Sequence, residues 1–165
     1  MAIEERWRIV DGDLTDPRLL ELLATHVATA TADMPRESCH ALDVAGLQQP
    51  NIRLWALWGG PELLGVGALK DLGGGHGELK SMHTAALARG QGVGSAMVRH
   101  ILATARADGF RRVSLETGAI AYFAPARRLY AAHGFVPCAP FGPYRPDANS
   151  VFLTHDLAAD PATST

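Results

Sequence analysis

The stretch "AALARGQGVGSAMVRHI", residues 85–101, holds three glycines within five positions and then continues with a helical pattern of apolar residues. Val93, Met97 and Ile101 recur every four residues, which predicts an amphipathic helix that begins directly after the glycines. The first backbone N–H groups of a helix have no partner within it, and the helix dipole adds positive charge there. Because glycines allow close approach to that backbone, the stretch predicts a strand-to-helix turn that can hold a phosphate.

The patterns on both sides of this turn predict a mixed α/β chain. A first strand, a helix from Pro17 and a short helix near "ESCHAL" precede three strands in an antiparallel run, which are "IRLWALW", "ELLGVGALKDL" and "ELKSMHTA". After the turn and its helix come the strand "RRVSLETG", the helix "FAPARRLYAAH" and two closing strands, "FVPC" and "SVFLTHDL". This order predicts an α/β (α+β) fold with a mixed, mainly antiparallel central sheet of about six or seven strands and about four flanking helices. We expect a single domain over residues 1–157 and a disordered tail over 158–165.

Composition and charge exclude several classes of function. The chain has 165 residues and a formal net charge of −2, so it lacks the excess of basic residues that nucleic-acid binding needs. No apolar run reaches the ~18 residues of a membrane span, and Glu4 and Glu5 stand where a signal peptide would be basic. Cys39 and Cys138 lie far apart and no HExxH or CxxC occurs, so we expect a cytoplasmic protein with free thiols and no metal site.

The glycines alone do not decide which phosphate ligand the turn holds. A nucleotide-binding P-loop needs a lysine directly after its last glycine, and no lysine follows Gly94. A dinucleotide fingerprint GxGxxG fits at Gly90 and Gly92, but its third glycine would fall on Ser95. Glu116 ends the next predicted strand, about where a ribose-binding acid would lie, so a dinucleotide site stays an alternative.

Two motifs in sequence order carry a resemblance to a known family. The spacing Arg89-x-x-Gly92-x-Gly94 follows a predicted strand, and "ARRLYAAHGF", residues 126–135, comes further along the chain. They resemble the [QR]xxGx[GA] and AxxLYxxxGF motifs of the GNAT superfamily of N-acetyltransferases. The order of elements fits that family over roughly residues 4–157, and the motifs cover about 78–137. The words "ESCHALD", "GELKSM", "SLETG", "FAPARRLY" and "GFVPCAPF" are similar to a bacterial GNAT subgroup whose substrates are mostly unassigned.

The resemblance implies an acyltransferase that uses acetyl-CoA as co-substrate. It would move the acetyl group to a primary amine of an unidentified small molecule or peptide by direct transfer in a ternary complex. Two alternatives stay open, which are an acyl-CoA sensor without turnover and a dinucleotide-binding oxidoreductase. Dimerisation is common in the superfamily, so the resemblance also allows a homodimer.

The family's coenzyme contacts carry over to the strand and turn residues that match its motifs. Backbone groups of the strand would bond the pantetheine arm, and turn amides would hold the pyrophosphate. The coenzyme-binding residues implied in this way are Met82, His83, Thr84, Arg89, Gly90, Gln91, Gly92, Val93, Gly94, Ser95 and Tyr130.

The resemblance also assigns catalytic roles. Tyr130 matches the tyrosine that faces the coenzyme sulfur, where a phenol can protonate the departing thiolate. A carboxylate must take a proton from the amine, and we expect Glu116 first and Glu78 second. The chemistry needs no cysteine as an acyl carrier. Where many members have an asparagine seven residues before the motif tyrosine, this chain has Phe123, which can shape an apolar wall.

Overall fold

A computed structural model describes residues 6–32 and 35–159 of the chain. Its seven strands are β1 (Arg8–Asp11), β2 (Ile52–Gly59), β3 (Glu62–Gly73), β4 (His76–Thr84), β5 (Arg112–Gly118), β6 (Val136–Pro137) and β7 (Ser150–Asp156). Its four α-helices are α1 (Pro17–Thr31), α2 (Val44–Leu47), α3 (Val93–Ala107) and α4 (Ala124–Ala132). The first two residues of the tail predicted over 158–165 belong to a 3-10 turn, Leu157–Ala159, and the prediction from residue 160 onward lies outside the described residues.

One sheet contains all seven strands in the order β1-β2-β3-β4-β5-β7-β6. Neighbouring strands are antiparallel except β4 and β5, which run parallel because α3 crosses over between them. The predicted fold class is therefore confirmed. The doubly wound parallel sheet that a dinucleotide-binding fold requires is not what the described residues form.

Helices cover both faces of this sheet. Strand residues alternate between the faces, so Trp55 and Leu57 of β2 pack with α3, whereas Leu54 and Ala56 pack with α1 and α2. Close packing of α3 on β3 depends on Gly67, where an added Cβ would lie 2.7 Å from Met97 Cγ. No helix of the described ranges is long and apolar enough to cross a membrane.

The connection between α1 and β2 differs from the predicted short helix near "ESCHAL". It contains a 3-10 turn at Arg36–Ser38, and the short helix α2 forms later, at Val44–Leu47. The reason is local capping, because the Asp43 side chain accepts a hydrogen bond from the Gly46 N–H at 2.9 Å. Within "ESCHAL", the Ser38 hydroxyl instead bonds the Asp147 carboxylate, 109 positions away.

Strands β4 and β5 separate after three paired positions, and this opening positions the site. The last pair is Glu78 opposite Ser114, so on this side the rest of each strand has no neighbour in the described sheet. On its other side, β4 contains a bulge, because Ser81 and Met82 both lie opposite Gly67 of β3. Ser81 has a positive φ of 56° at the bulge. The result is a wedge that opens into the sheet with an unpaired strand edge along it.

Candidate active site

Two cavities adjoin in the wedge between β4 and β5. The larger has a volume of about 690 Å³ and lies between β4, the glycine turn and α4. The smaller has a volume of about 110 Å³ and extends toward β5 and residues 38–42. Tyr130, Met82, Phe123 and His26 line both cavities and so mark the place where they meet.

The larger cavity contains the glycine turn at the start of α3. Gly90 and Gly92 have φ values of 78° and 90°, a region that favours glycine, and Gly92 is the N-cap residue of the helix. The first turn of α3 carries no acidic residue, so its free N–H groups face the cavity without a competing anion. This end of the cavity is chemically suited to a pyrophosphate.

Most of the predicted coenzyme-binding residues line this larger cavity. They are Met82, His83, Thr84, Arg89, Gly90, Gly92, Val93, Gly94, Ser95 and Tyr130. Gln91 is exposed, and its side-chain amide donates to the Leu87 carbonyl at 3.3 Å. The cavity, its unpaired strand edge and its helix N-terminus together fit an extended thioester that ends in a pyrophosphate.

The third glycine of the turn has a packing role. An added Cβ at Gly94 would lie 3.0 Å from Leu129 Cδ2, so this glycine lets α4 approach the start of α3. Ser95 Oγ lies 2.7 Å from His133 Nε2 and accepts from Arg99 at 2.8 Å. The Ser95 side chain is thus used in helix packing, which leaves its backbone N–H for a ligand.

Glu116 is the carboxylate that lines the smaller cavity. Burial raises its pKa above the usual value, and Glu78 acts in the same direction, whereas Ser150, His40 and Lys80 oppose the rise. A carboxylate with a raised pKa is a better proton acceptor than an exposed one, which suits a general base.

The side chain of Glu78, the second predicted base, is part of a buried polar cluster. Its Oε2 atom accepts from Lys80 Nζ at 3.0 Å and from the Tyr144 hydroxyl at 2.5 Å. Lys80 Nζ also donates to the Tyr144 hydroxyl at 2.9 Å. The Glu78 side chain is 3% exposed and is not part of the cavity lining, so its geometry suits a structural partner of Lys80.

Tyr130 lies fully buried on α4, at the junction of the two cavities. Burial raises the pKa of its phenol, and the negative charge of Glu116 raises it further. The phenol therefore stays protonated across the neutral range and is available as a proton donor. Phe123 lines the same junction, and its ring packs so closely on Gly118 that an added Cβ there would lie 2.2 Å from it.

A pair of histidines forms another wall of the junction. His26 Nδ1 and His83 Nδ1 lie 3.3 Å apart, so one nitrogen carries a proton and donates a hydrogen bond that the other accepts. Burial lowers the pKa of His26 to about 4, and His83 and Lys80 lower it as well. His83 has a pKa lowered by burial and by Arg89. Both rings are therefore neutral at neutral pH.

Sequence patterns did not single out His26, Tyr144 or the bond between Ser38 and Asp147. All three come from segments far apart in the chain, and no local spacing marks them. His40 and Lys80 also line the smaller cavity. Within the described ranges no group of three or more metal-ligating side chains occurs.

Comparisons with known proteins agree with this architecture. The model of the Acetyltransferase (GNAT) family matches residues 20–135. The chain is 46% identical over 145 residues to the uncharacterized N-acetyltransferase YsnE of Bacillus subtilis (strain 168), covering 88% of this chain and 96% of YsnE. It is 46% identical over 149 residues to the uncharacterized N-acetyltransferase YedL of Escherichia coli (strain K12), covering 90% of this chain and 94% of YedL.

Solved structures share the same fold. A structure from Klebsiella pneumoniae, described as an acyl-CoA N-acyltransferase, superposes with a TM-score of 0.76 at 28% identity, over 92% of this chain and 97% of that one. An acetyltransferase from Bacillus subtilis in complex with CoA superposes with a TM-score of 0.69 at 20% identity, over 91% of this chain and 98% of that one. By its sequence relatives and its fold, this chain is an acyltransferase and belongs to the GNAT family of acetyltransferases.

Proposed function

We propose that the protein transfers an acetyl group from acetyl-CoA directly to a primary amine in a ternary complex. The observation that carries this proposal is the position of Tyr130, where the larger cavity meets the smaller one. A thioester that lies along β4 reaches this junction from one side, and an amine in the smaller cavity reaches it from the other. The two reactants therefore meet beside a proton donor.

The chain's own residues supply the proton transfers. Glu116 takes a proton from the ammonium form of the acceptor, because only a neutral amine can attack the carbonyl carbon. As the C–N bond forms and the C–S bond breaks, Tyr130 gives its proton to the thiolate. Backbone N–H groups freed at the bulge of β4 can stabilise the oxyanion. The amine loses two protons in total: Glu116 passes the first to solvent, and the second, lost from the nitrogen as the amide forms, restores the phenol of Tyr130, whose own proton has gone to the thiol.

Glu116 is our choice of base over Glu78 for a geometric reason. Glu116 lines the smaller cavity together with Tyr130, whereas Glu78 contacts Lys80 and Tyr144 behind the cavity wall. The predicted cytoplasmic location and homodimer stay predictions from the sequence.

The test combines binding with turnover. Wild-type protein is mixed with acetyl-CoA and a panel of amines, release of the free thiol is followed, and the acetylated product is identified by mass. We expect acetyl-CoA to raise the melting temperature and at least one amine to be acetylated. Binding without any acetylated product would support the sensor alternative, and stabilisation by NAD alone would support an oxidoreductase.

A further inference from the structure

We propose that the acceptor is a small amino acid, or a similar compound that carries a carboxylate next to its reactive amine. This inference rests on the proposed function and names the substrate class of the smaller cavity. It follows from three properties of that cavity, which are its size, an unpartnered buried hydroxyl in its wall, and the separation of opposite charges across it.

The size of the cavity limits the acceptor to a few atoms. A cavity of roughly 150 Å³ holds benzene with its six non-hydrogen atoms, so about 110 Å³ has room for roughly four or five. The wall formed by residues 38–42 is held in place by Ser38 Oγ, which donates to Asp147 at 2.5 Å and lies 3.4 Å from Asn149 Nδ2. A small amino acid fits this space when its amine lies at the junction with the larger cavity, whereas a peptide side chain with its backbone needs more room.

Lys80 and Ser81 are adjacent residues of the cavity lining, and each side chain carries a hydrogen-bond donor. Ser81 is 7% exposed, and its hydroxyl has no hydrogen-bond partner in the described structure. Lys80 uses two of its three N–H groups, one on Glu78 and one on Tyr144, which leaves the third for a ligand. An unpartnered buried hydroxyl costs free energy, so a ligand oxygen that accepts a hydrogen bond from it would recover that free energy.

The bulge of β4 explains why both donors can line one cavity. Successive side chains of a regular strand point to opposite faces, so Lys80 and Ser81 would be separated. With its φ of 56°, Ser81 interrupts this alternation, and residues 79–82 all line the cavity. A positive φ at a serine is uncommon and strained, which is typical of residues that a functional site holds in place.

The charges of the cavity match an acceptor with both an amine and a carboxylate. Glu116 lies on β5 and suits the ammonium group, whereas Lys80 and Ser81 lie on β4 and suit a carboxylate. Glu78 neutralises Lys80 in the free protein but lies behind the wall, so a ligand meets the ammonium rather than the carboxylate. His40 lines the same cavity and adds a ring nitrogen.

The experiment compares three acceptors with one carbon skeleton: L-alanine, L-alaninamide and isopropylamine. They differ only in whether the amine neighbours a carboxylate, a carboxamide or a methyl group. We expect kcat/KM for L-alanine to exceed both others by about tenfold or more, since one charge-assisted hydrogen bond is worth that factor. The amine of alaninamide is the weaker base and is more often neutral, so basicity alone would favour the opposite order.

Two variants assign the preference to the named donors. Ser81→Gly removes the hydroxyl, and glycine adopts the positive φ without strain. E78Q/K80M removes both charges of the buried pair, and E78Q alone is its control. We expect both test variants to lower kcat/KM for L-alanine about tenfold more than kcat/KM for isopropylamine, because any effect on the bulge of β4 is common to both acceptors and cancels in this ratio. K70M, at a lysine of β3 outside the cavity lining, should change neither value.

Each other outcome has a distinct meaning. Equal or better use of alaninamide or isopropylamine overturns the inference and leaves the proposed function intact, because the thiol is still released. If the protein acetylates larger amines or peptides but none of these three acceptors, the inference is likewise overturned and the proposed function stays intact. An alanine preference that persists in both variants overturns the assignment to Lys80 and Ser81. If acetyl-CoA raises the melting temperature but no amine is acetylated, the proposed function fails and the inference fails with it.

Discussion

Replacing Lys80 by methionine should destabilise the protein far more than the loss of an exposed charge does. The Lys80 and Glu78 side chains are 9% and 3% exposed, so the pair lies almost entirely out of water. Methionine fills a similar volume but removes both hydrogen bonds of the ammonium, and Glu78 keeps only the bond from Tyr144. A buried charge left without its partner costs about 3–5 kcal/mol. For a chain of this size, that corresponds to a fall in melting temperature of roughly 6–20 °C.

The double variant E78Q/K80M should recover most of this loss. It removes both charges, leaves a neutral amide to accept from Tyr144, and avoids the desolvation of an unpaired ion. We expect its free energy of unfolding to lie within about 2 kcal/mol of wild type. The chain offers a control pair in Arg53 and Asp11, whose atoms lie 3.3 Å apart with side chains 54% and 75% exposed. Its coupling energy should be below about 1 kcal/mol.

The assay is urea unfolding at neutral pH, followed by circular dichroism, for the four proteins of each double-mutant cycle. A K80M variant that loses less than about 1 kcal/mol would contradict the argument, because that is the range of exposed pairs. The argument would also be contradicted if the losses of unfolding free energy in E78Q and K80M simply added in the double variant, since the two charges would then be independent.

Three further predictions concern the proton donor, the base and the glycine turn. Tyr130→Phe should lower kcat about 10²-fold or more with acetyl-CoA affinity retained, and a kcat equal to that of wild type would remove Tyr130 as the acid. Glu116→Gln should raise the melting temperature at pH 8 but not at pH 4. Because the pKa of Glu116 is raised on folding, the folded state binds more protons than the unfolded chain above pH 4.5, and wild-type stability falls as pH rises there. Identical profiles of melting temperature against pH for wild type and Glu116→Gln would contradict this. Gly92→Ala should weaken acetyl-CoA binding, measured by calorimetry. Gly74→Ala, at a similarly positive φ outside the cavity linings, should lower the free energy of unfolding to a similar extent but leave acetyl-CoA binding unchanged.

The separation of β4 and β5 links these predictions to one structural cause. If β4 and β5 stayed hydrogen-bonded along their whole length, their facing edges would be paired and no cavity could form between them. Because pairing ends at Glu78, the strand edge beyond it is free for a ligand, and its bulge places Ser81 and Met82 in the cavity wall. Strand residues before the split pair with each other, and residues after it line the two cavities.

Local signals predicted the elements well because each rests on neighbouring residues. The four-residue spacing of Val93, Met97 and Ile101 predicted α3, and all three side chains are buried. The helix predicted from Pro17 begins at that residue, and the Asp16 side chain caps it by accepting from the Arg18 N–H. The short helix was predicted too early, near "ESCHAL". Asp43 caps α2 further along the chain, and Ser38 makes a long-range bond that no local pattern reveals.

The sequence by itself determined the fold class, the glycine turn at the start of α3 and the family, because periodicity, capping and the two motifs act over a few neighbouring residues. It named Tyr130 and two carboxylates, but it did not separate their environments. Only the tertiary structure decided that Glu116 lines the smaller cavity while Glu78 pairs with Lys80, since burial and charge partners come from strands and loops that meet after folding. The same holds for Tyr144, whose hydroxyl completes that cluster from 64 positions away.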